Sequence, residues 1–337
     1  MRKAEIFLEF QNYIDHAPVS PQAQLQQATS NDKITIDTWR PTWIKNVQDN
    51  HAAFGSFAKN SIGQLYKKHA LKPAIIIGSG PSLKFNAAKL VGKDPEIPVI
   101  SCLHNFHFLE DLGVVVDYYV TLDAGEVTIE EVSEGGTKTP EEYWAITKNR
   151  TLLAFIGTSP RLLEKWQGKV LFFNAPIPDA QIQKELEAVE LFHCYVSNGG
   201  NVLGACMYIA KAFLGCNPIA FMGSDFCFGY DKKFHAWDSK YDKSLGNVVK
   251  LCDVFGNKVL SWQSYANFKG WFEYIAATAP GIYINCSEGG TFGSYYEGNI
   301  RAVIQMEIAG FLDMYGMSNL LKSQCETPET AEKLLLF

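Results

Sequence analysis

Residues 73–83 read PAIIIGSGPSL, an apolar run that breaks into two glycines, a proline and two serines just where a helix can begin. The run reads as a buried strand and the break as a strand-to-helix turn. In an open α/β sheet such a turn lies at the carboxyl end of the strand, where ligands bind and helix N-termini present unpaired N–H groups. Gly78 and Gly80 permit close backbone approach, Pro81 suits a first helical position, and Ser79 and Ser82 offer hydroxyls. The stretch therefore predicts backbone amides gathered round a phosphate or nucleotide, although a tight turn with no ligand would use the same residues. The lysine and Ser/Thr of a Walker loop are missing.

Working outward from this stretch, short β-rich runs alternate with helix-length segments: IPVISC (97–102), DYYVTLD (117–123), TLLAFIG (151–157), KVLFFN (169–174) and PIAFMGS (218–224). Alternation of this kind predicts a mostly parallel sheet covered by helices, and the nearly continuous apolar character of each run fits strands buried on both faces. The expected fold is α/β, a doubly wound, mostly parallel Rossmann-like sheet with a helical N-terminal extension over 1–72 and a catalytic domain over 73–317. A tail follows over 318–337. NGGNVLGACMYIAKAFLG (198–215) has the spacing of a helix lying close to the sheet, and VVKLCDVFGNKVLSW (248–262) reads as a hairpin turning at Gly256-Asn257. The polar, aromatic segment 227–247 is expected to be a lid insertion. Helices over about 263–277 and 299–315, with the short run IYINC between them, complete the body.

Composition narrows the function classes. The 337 residues are 47% hydrophobic and 20% charged with a net charge of −6, and no basic tract runs through them, so nucleic acid is not an expected partner. The eight cysteines form no C-x-x-C pair and read as reduced core residues. No window reaches the roughly 18 apolar residues of a membrane span, and the first residues lack the apolar core of a signal peptide. A cytoplasmic location is expected, and aromatic residues near the C-terminal helices are compatible with a homo-oligomer.

Five segments together resemble one family. IIGSGPSL (76–83), DYYVTLDAG (117–125), SNGGNVLGACMYIAKAFLGCNPIAFMGSDF (197–226), FHAW (234–237) and NCSEGGT (285–291) are similar to the MptE-like domain of archaeal 6-hydroxymethylpterin pyrophosphokinases and of the Maf flagellin glycosyltransferases. The layout also resembles bacterial sialyltransferases that use CMP-sialic acid. By position, that resemblance implies Asn105, Ser197, Asn198 and Tyr230 round the nucleotide and His235 as a base. Gly78, Ser79, Gly80, Pro81 and Ser82 of the glycine turn, with Asp123 and Gly199, complete the nucleotide-site candidates, and Asp225, closing a strand, and Glu288, in SEGGT, are further catalytic candidates.

The related pyrophosphokinases carry D-x-D after the third strand, as expected of enzymes that hold Mg²⁺ between phosphates. This chain reads Thr121-Leu122-Asp123 there, and Asp117, roughly 20 Å away along an extended strand, cannot replace the missing acid. The sequence thus favours transfer of a nonulosonic acid of the sialic, pseudaminic or legionaminic type from a CMP-activated donor to a protein or glycan hydroxyl. No cofactor is then required. The alternatives are Mg²⁺-ATP pyrophosphoryl transfer to a pterin-like alcohol, with Asp123 on the metal, and a nucleotide-binding module without catalysis.

Overall fold

The computed structural model describes residues 21–177, 179–239, 248–297 and 302–324. Its centre is an eight-stranded sheet in the order β10-β9-β6-β1-β2-β3-β4-β5, parallel at every junction. The strands are β1 Ala74–Ile77, β2 Val99–Cys102, β3 Tyr118–Thr121, β4 Thr151–Phe155, β5 Lys169–Phe173, β6 Ile219–Met222, β9 Tyr283–Asn285 and β10 Val303–Gln305. A hairpin of β7 Val248–Cys252 and β8 Lys258–Trp262 stands outside the sheet. This is the doubly wound α/β arrangement that the apolar runs predict. β1, β2, β3 and β6 are buried along their whole length because helices cover the sheet.

The chain lays down β1 to β5 in one direction and then returns to place β6 on the other flank of β1. Strand order therefore reverses between β1 and β6, and the loops after these two strands diverge from the point where doubly wound folds hold ligands. Both loops carry the residues that the sequence singles out.

Helix α1 (Pro21–Phe54) is tied to the carboxyl ends of the strands by two asparagines one turn apart. The buried Asn46 donates to the carbonyls of Ala124 and Gly157, each at 3.0 Å. Asn50 donates to those of Ile156 and Thr158, each at 2.8 Å. Four loop carbonyls after β3 and β4 are thereby satisfied away from water, which fixes those loops. Helix α2 (Leu83–Asn86) follows β1, and helix α3 (Phe106–Leu112) follows β2.

Helix α4 (Val202–Tyr208) packs against β1, β2 and β3, and its last stretch, Ile209–Phe213, widens into a π-turn. Helix α5 (Gln263–Thr278) lies against α1. The final segment departs from the expected single helix over 299–315. Val303–Gln305 pairs with β9 as an edge strand, and only Ile308–Gln324 is helical, as α6. Among the described residues, no helix is long and apolar enough to cross a membrane.

Candidate functional site

The glycines after β1 serve a different neighbour from the one expected. Gly78 N–H donates to Met222 O and Gly80 N–H to Gly223 O, both at 2.8 Å, and Ser82 N–H donates to the Asp225 carboxylate at 2.8 Å. The expectation that these amides stand open for a phosphate is therefore corrected: the loop after β6 already holds them. A Cβ on Gly78 would lie 2.6 Å from Gly223 O, and one on Gly80 would strike both Gly223 O and the Asp225 carboxylate. The glycines are needed because two main chains meet here with no room for a side chain between them.

Asp225 is the carboxylate that closes this junction. It is 2% exposed, with one oxygen on Ser82 N–H and Oδ1 without any hydrogen-bond partner. Burial pushes its pKa up to about 6, against the pull of the Ser82 N–H and of the Ser82 hydroxyl. That hydroxyl stands close by but outside bonding geometry, and it too lacks a partner. Gly290, at φ +74°, lets the loop after β9 pass directly against Asp225, where Thr291 N–H donates to Asp225 O at 2.8 Å.

Asp225 and Ser82 line a cavity of about 270 Å³ on the β9 side of the junction. The hairpin supplies its far wall: Phe228 N–H donates to Leu260 O, and Val254 N–H to Gly290 O. Tyr230 lines it as well, but its hydroxyl is taken by Asp253 and Asn257 of the hairpin turn, and burial with the Asp253 bond pushes its pKa up to about 12. Glu288 sits at the rim, where its carboxylate receives Lys89 at 3.0 Å and the N–H of Ile308, the first residue of α6, at 3.1 Å. These bonds make Glu288 a strut between α6 and the segment after β1. A larger depression, of about 530 Å³, runs along the β5 edge past Ser61, Phe192 and Tyr208 and touches none of these residues.

The remaining candidates lie on the other side of the junction. Asp123 is exposed at the end of β3, yet desolvation by the surrounding protein pushes its carboxyl pKa up. Its N–H is held by Thr121 Oγ1 at 3.3 Å, so the residue in place of a second acid is structural. Asn105 spends its amide on Ile77 O and Ser101 Oγ, which leaves only Oδ1 unpartnered. Ser197, Asn198 and Gly199 form the turn before α4. Asn198 Oδ1 accepts from Gly200 N–H at 2.8 Å, and Gly199 is pressed against Trp271.

His235 is not in a polar loop. It is 7% exposed inside an aromatic cluster, 4.8 Å from His104 and 5.5 Å from Trp237 between ring centroids. Its neighbour Ala236 donates to Ser79 O, so FHAW lies across the turn after β1. Burial, then the nearby His235 and His107, bring the His104 pKa down to about 3, which leaves that ring neutral. The structure thus gathers Pro81, Ser82, Asp225, Tyr230 and Glu288 round one cavity. It leaves Ser79, Asn105, Asp123, Ser197, Asn198, Gly199 and His235 outside it. The Asn46–Asn50 clamp is absent from sequence reasoning, and its signal is the i, i+4 spacing of two amides on one helix face.

The family described as 6-hydroxymethylpterin diphosphokinase MptE-like matches residues 42–231. Among solved structures, the chain is similar to a Maf glycosyltransferase from Magnetospirillum magneticum AMB-1, at 19% identity and a TM-score of 0.48. The match covers 70% of this chain and 34% of that one, so the chain spans about a third of the protein it resembles. No curated protein matches it.

Proposed function

The chain belongs to the MptE-like family, and on that premise we propose that it is a transferase that holds a nucleotide-activated donor at the carboxyl ends of β1, β2 and β3. The preferred reaction is glycosyl transfer from a CMP-activated nonulosonic acid to a hydroxyl of a protein or glycan. The bond between the anomeric carbon and the phosphate oxygen breaks, and its electron pair leaves with CMP. The acceptor oxygen bonds to the anomeric carbon, and its proton passes to a base. His235, which lies beside Ser79 through Ala236, is the group proposed for that role.

The observation that carries this reading over diphosphoryl transfer is the solitary carboxylate at the end of β3. Mg²⁺ on a triphosphate is usually held by one or two carboxylates together with the phosphates, and Asp123 has Thr121 where a second acid would stand. Among the described residues, no three His, Cys, Asp or Glu side chains are grouped as metal ligands. Any Mg²⁺ there would rest on Asp123 and the substrate's own phosphates. The leaving phosphate would instead be stabilised by uncharged donors, the candidates being Ser79 and the turn at Ser197 and Asn198 before α4.

The family's description keeps diphosphoryl transfer as the second reading. Calorimetric titration with CMP and with ATP plus Mg²⁺ separates the two. The proposal expects saturable CMP binding that needs no metal and is weakened by Asp123→Ala. ATP binding that requires Mg²⁺, with none of CMP, overturns it in favour of the second reading.

A further inference from the structure

Three histidines meet round one tryptophan where the segment 234–237 crosses the turn after β1. Trp237 is buried, and its ring centre lies 5.0 Å from that of His104, 4.7 Å from His107 and 5.7 Å from Phe108, with His235 of its own segment at 5.5 Å. His104 sits in the turn between β2 and α3, and His107 and Phe108 lie on α3. Among the described residues, the ring contacts of His104 are with His235 and Trp237, and that of His107 is with Trp237. The crossing segment is therefore the cover of both imidazoles. Ala236 N–H fastens it to Ser79 O at 3.1 Å, and Phe234 packs on Phe228, Trp262 and Tyr265.

This cover keeps water from groups that would use it. His104 Nε2, His107 Nε2 and Trp237 Nε1 are buried without a hydrogen-bond partner. A neutral imidazole bears this at modest cost, whereas a charged one needs an acceptor or water for each N–H. The surrounding charges separate the two α3-side rings. Asp111 and Glu134 favour charge on His107, whose Nδ1 also meets the Glu131 carbonyl at 3.2 Å, and Asp111 is itself held by Lys138 and Tyr143. The groups facing His104 are the other imidazoles, His235 and His107, which oppose a charge on it. Lys233 and Asp238, on the crossing segment, pair with each other.

We propose that the segment 234–237 is an acid-released cover: charging of His104 lifts His235 and Trp237 away from it and bares Ser79. The cover stands on this packing alone. Its consequence for transfer rests on the reading of His235 as the base, because a ring buried in the cluster meets no acceptor hydroxyl until the cover lifts. Covered, His104 takes a proton only near pH 3, whereas a solvated imidazole takes one near 6.5. The closed arrangement is thus fully favoured above pH 6.5 and loses about tenfold per pH unit below it. Titration of Asp225 has the opposite sign and cannot produce this loss.

Hydrogen exchange of the full chain, followed by mass spectrometry on the peptide spanning 227–239 and corrected for intrinsic exchange rates, gives the test. Protection is expected to fall about 25-fold between pH 7 and pH 5, the change for one histidine moving from about 3 to 6.5 on opening. The β4 strand is expected to keep its protection over the same range. His104→Phe, which keeps a ring against His235 and Trp237, is expected to reduce the change to about threefold or less, and His107→Phe to leave about tenfold or more. The comparison of the two segments in the unsubstituted chain stands even if a variant fails to fold. Exchange is read without donor or acceptor, so its outcome is separate from that of the CMP titration. Equal protection at pH 7 and pH 5, a parallel loss in β4, or an undiminished change in His104→Phe overturns the proposal.

Discussion

Glu110 and Asp225 are both buried carboxylates beside the same sheet, and the protein treats them in opposite ways. Glu110, on α3, accepts from Arg150 Nε at 2.6 Å, Arg150 Nη2 at 2.7 Å and Tyr119 Oη at 3.0 Å, so both its oxygens are bonded. Asp225, at the β1–β6 junction, has one backbone N–H and an oxygen with nothing. The first arrangement compensates the cost of burying charge; the second leaves part of that cost standing. Completed networks hold the β2–β4 flank in shape, whereas the uncompensated group lies where strand order reverses and where a cavity opens. A perturbed ionisable group in such a place is a candidate for function.

The comparison is most open to challenge at its completed end. Arg150→Ala strands Glu110 and is expected to cost about 3–5 kcal/mol, the usual penalty for breaking a buried pair, as read by urea denaturation at pH 7. A loss well below this would mean that Glu110 is no better compensated than Asp225.

The opposite sign is expected at the other end. The Asp225 pKa is raised from 3.8 to about 6, so the folded state binds its proton more tightly than the unfolded chain. Its contribution is fully present below pH 4 and is lost as pH rises through 6. Asp225→Asn removes that loss, so the variant should exceed the parent by up to about 3 kcal/mol at pH 8, a shift of about two pKa units. The difference should shrink as pH falls towards 4. Paired denaturation curves across that range measure it, and a variant less stable than the parent at pH 8 would show that the carboxylate is compensated after all.

Two smaller substitutions sharpen the contrast. Asn50→Ala leaves the carbonyls of Ile156 and Thr158 without their donor and is expected to cost about 1–3 kcal/mol, with faster hydrogen exchange in the loop after β4. Glu288→Gln is the intermediate case, a partly exposed carboxylate with Lys89 and a helix N-terminus as partners. It should cost about 1 kcal/mol or less, seen as a small drop in melting temperature and as lower helix protection in α6.

Much of the fold is legible in the sequence because the strands are buried on both faces, and continuous apolar runs such as AIII and YYVT have few other readings. β10 escapes because it is three residues long, lies at a sheet edge and exposes Ile304, so its apolar pattern merges with that of the helix after it. The glycine turn is legible as a place of close approach but not as to what approaches. Its partner is Gly223–Asp225, more than 140 residues away, and local composition carries no record of that pairing. Asp225 is visible as a polar residue closing a strand, whereas its missing partner is a property of packing alone. His235 misleads because the segment round it reads as a polar, aromatic lid, while the fold buries its ring against His104 and Trp237.

A crystal structure of the chain with CMP tests the central claim most directly. The account predicts CMP near Ser79, Asp123 and the turn before α4, with the bond between Asp225 and Ser82 N–H intact and the cavity on the β9 side free of nucleotide. A CMP phosphate seated on Ser82 N–H, with Asp225 displaced, would contradict it.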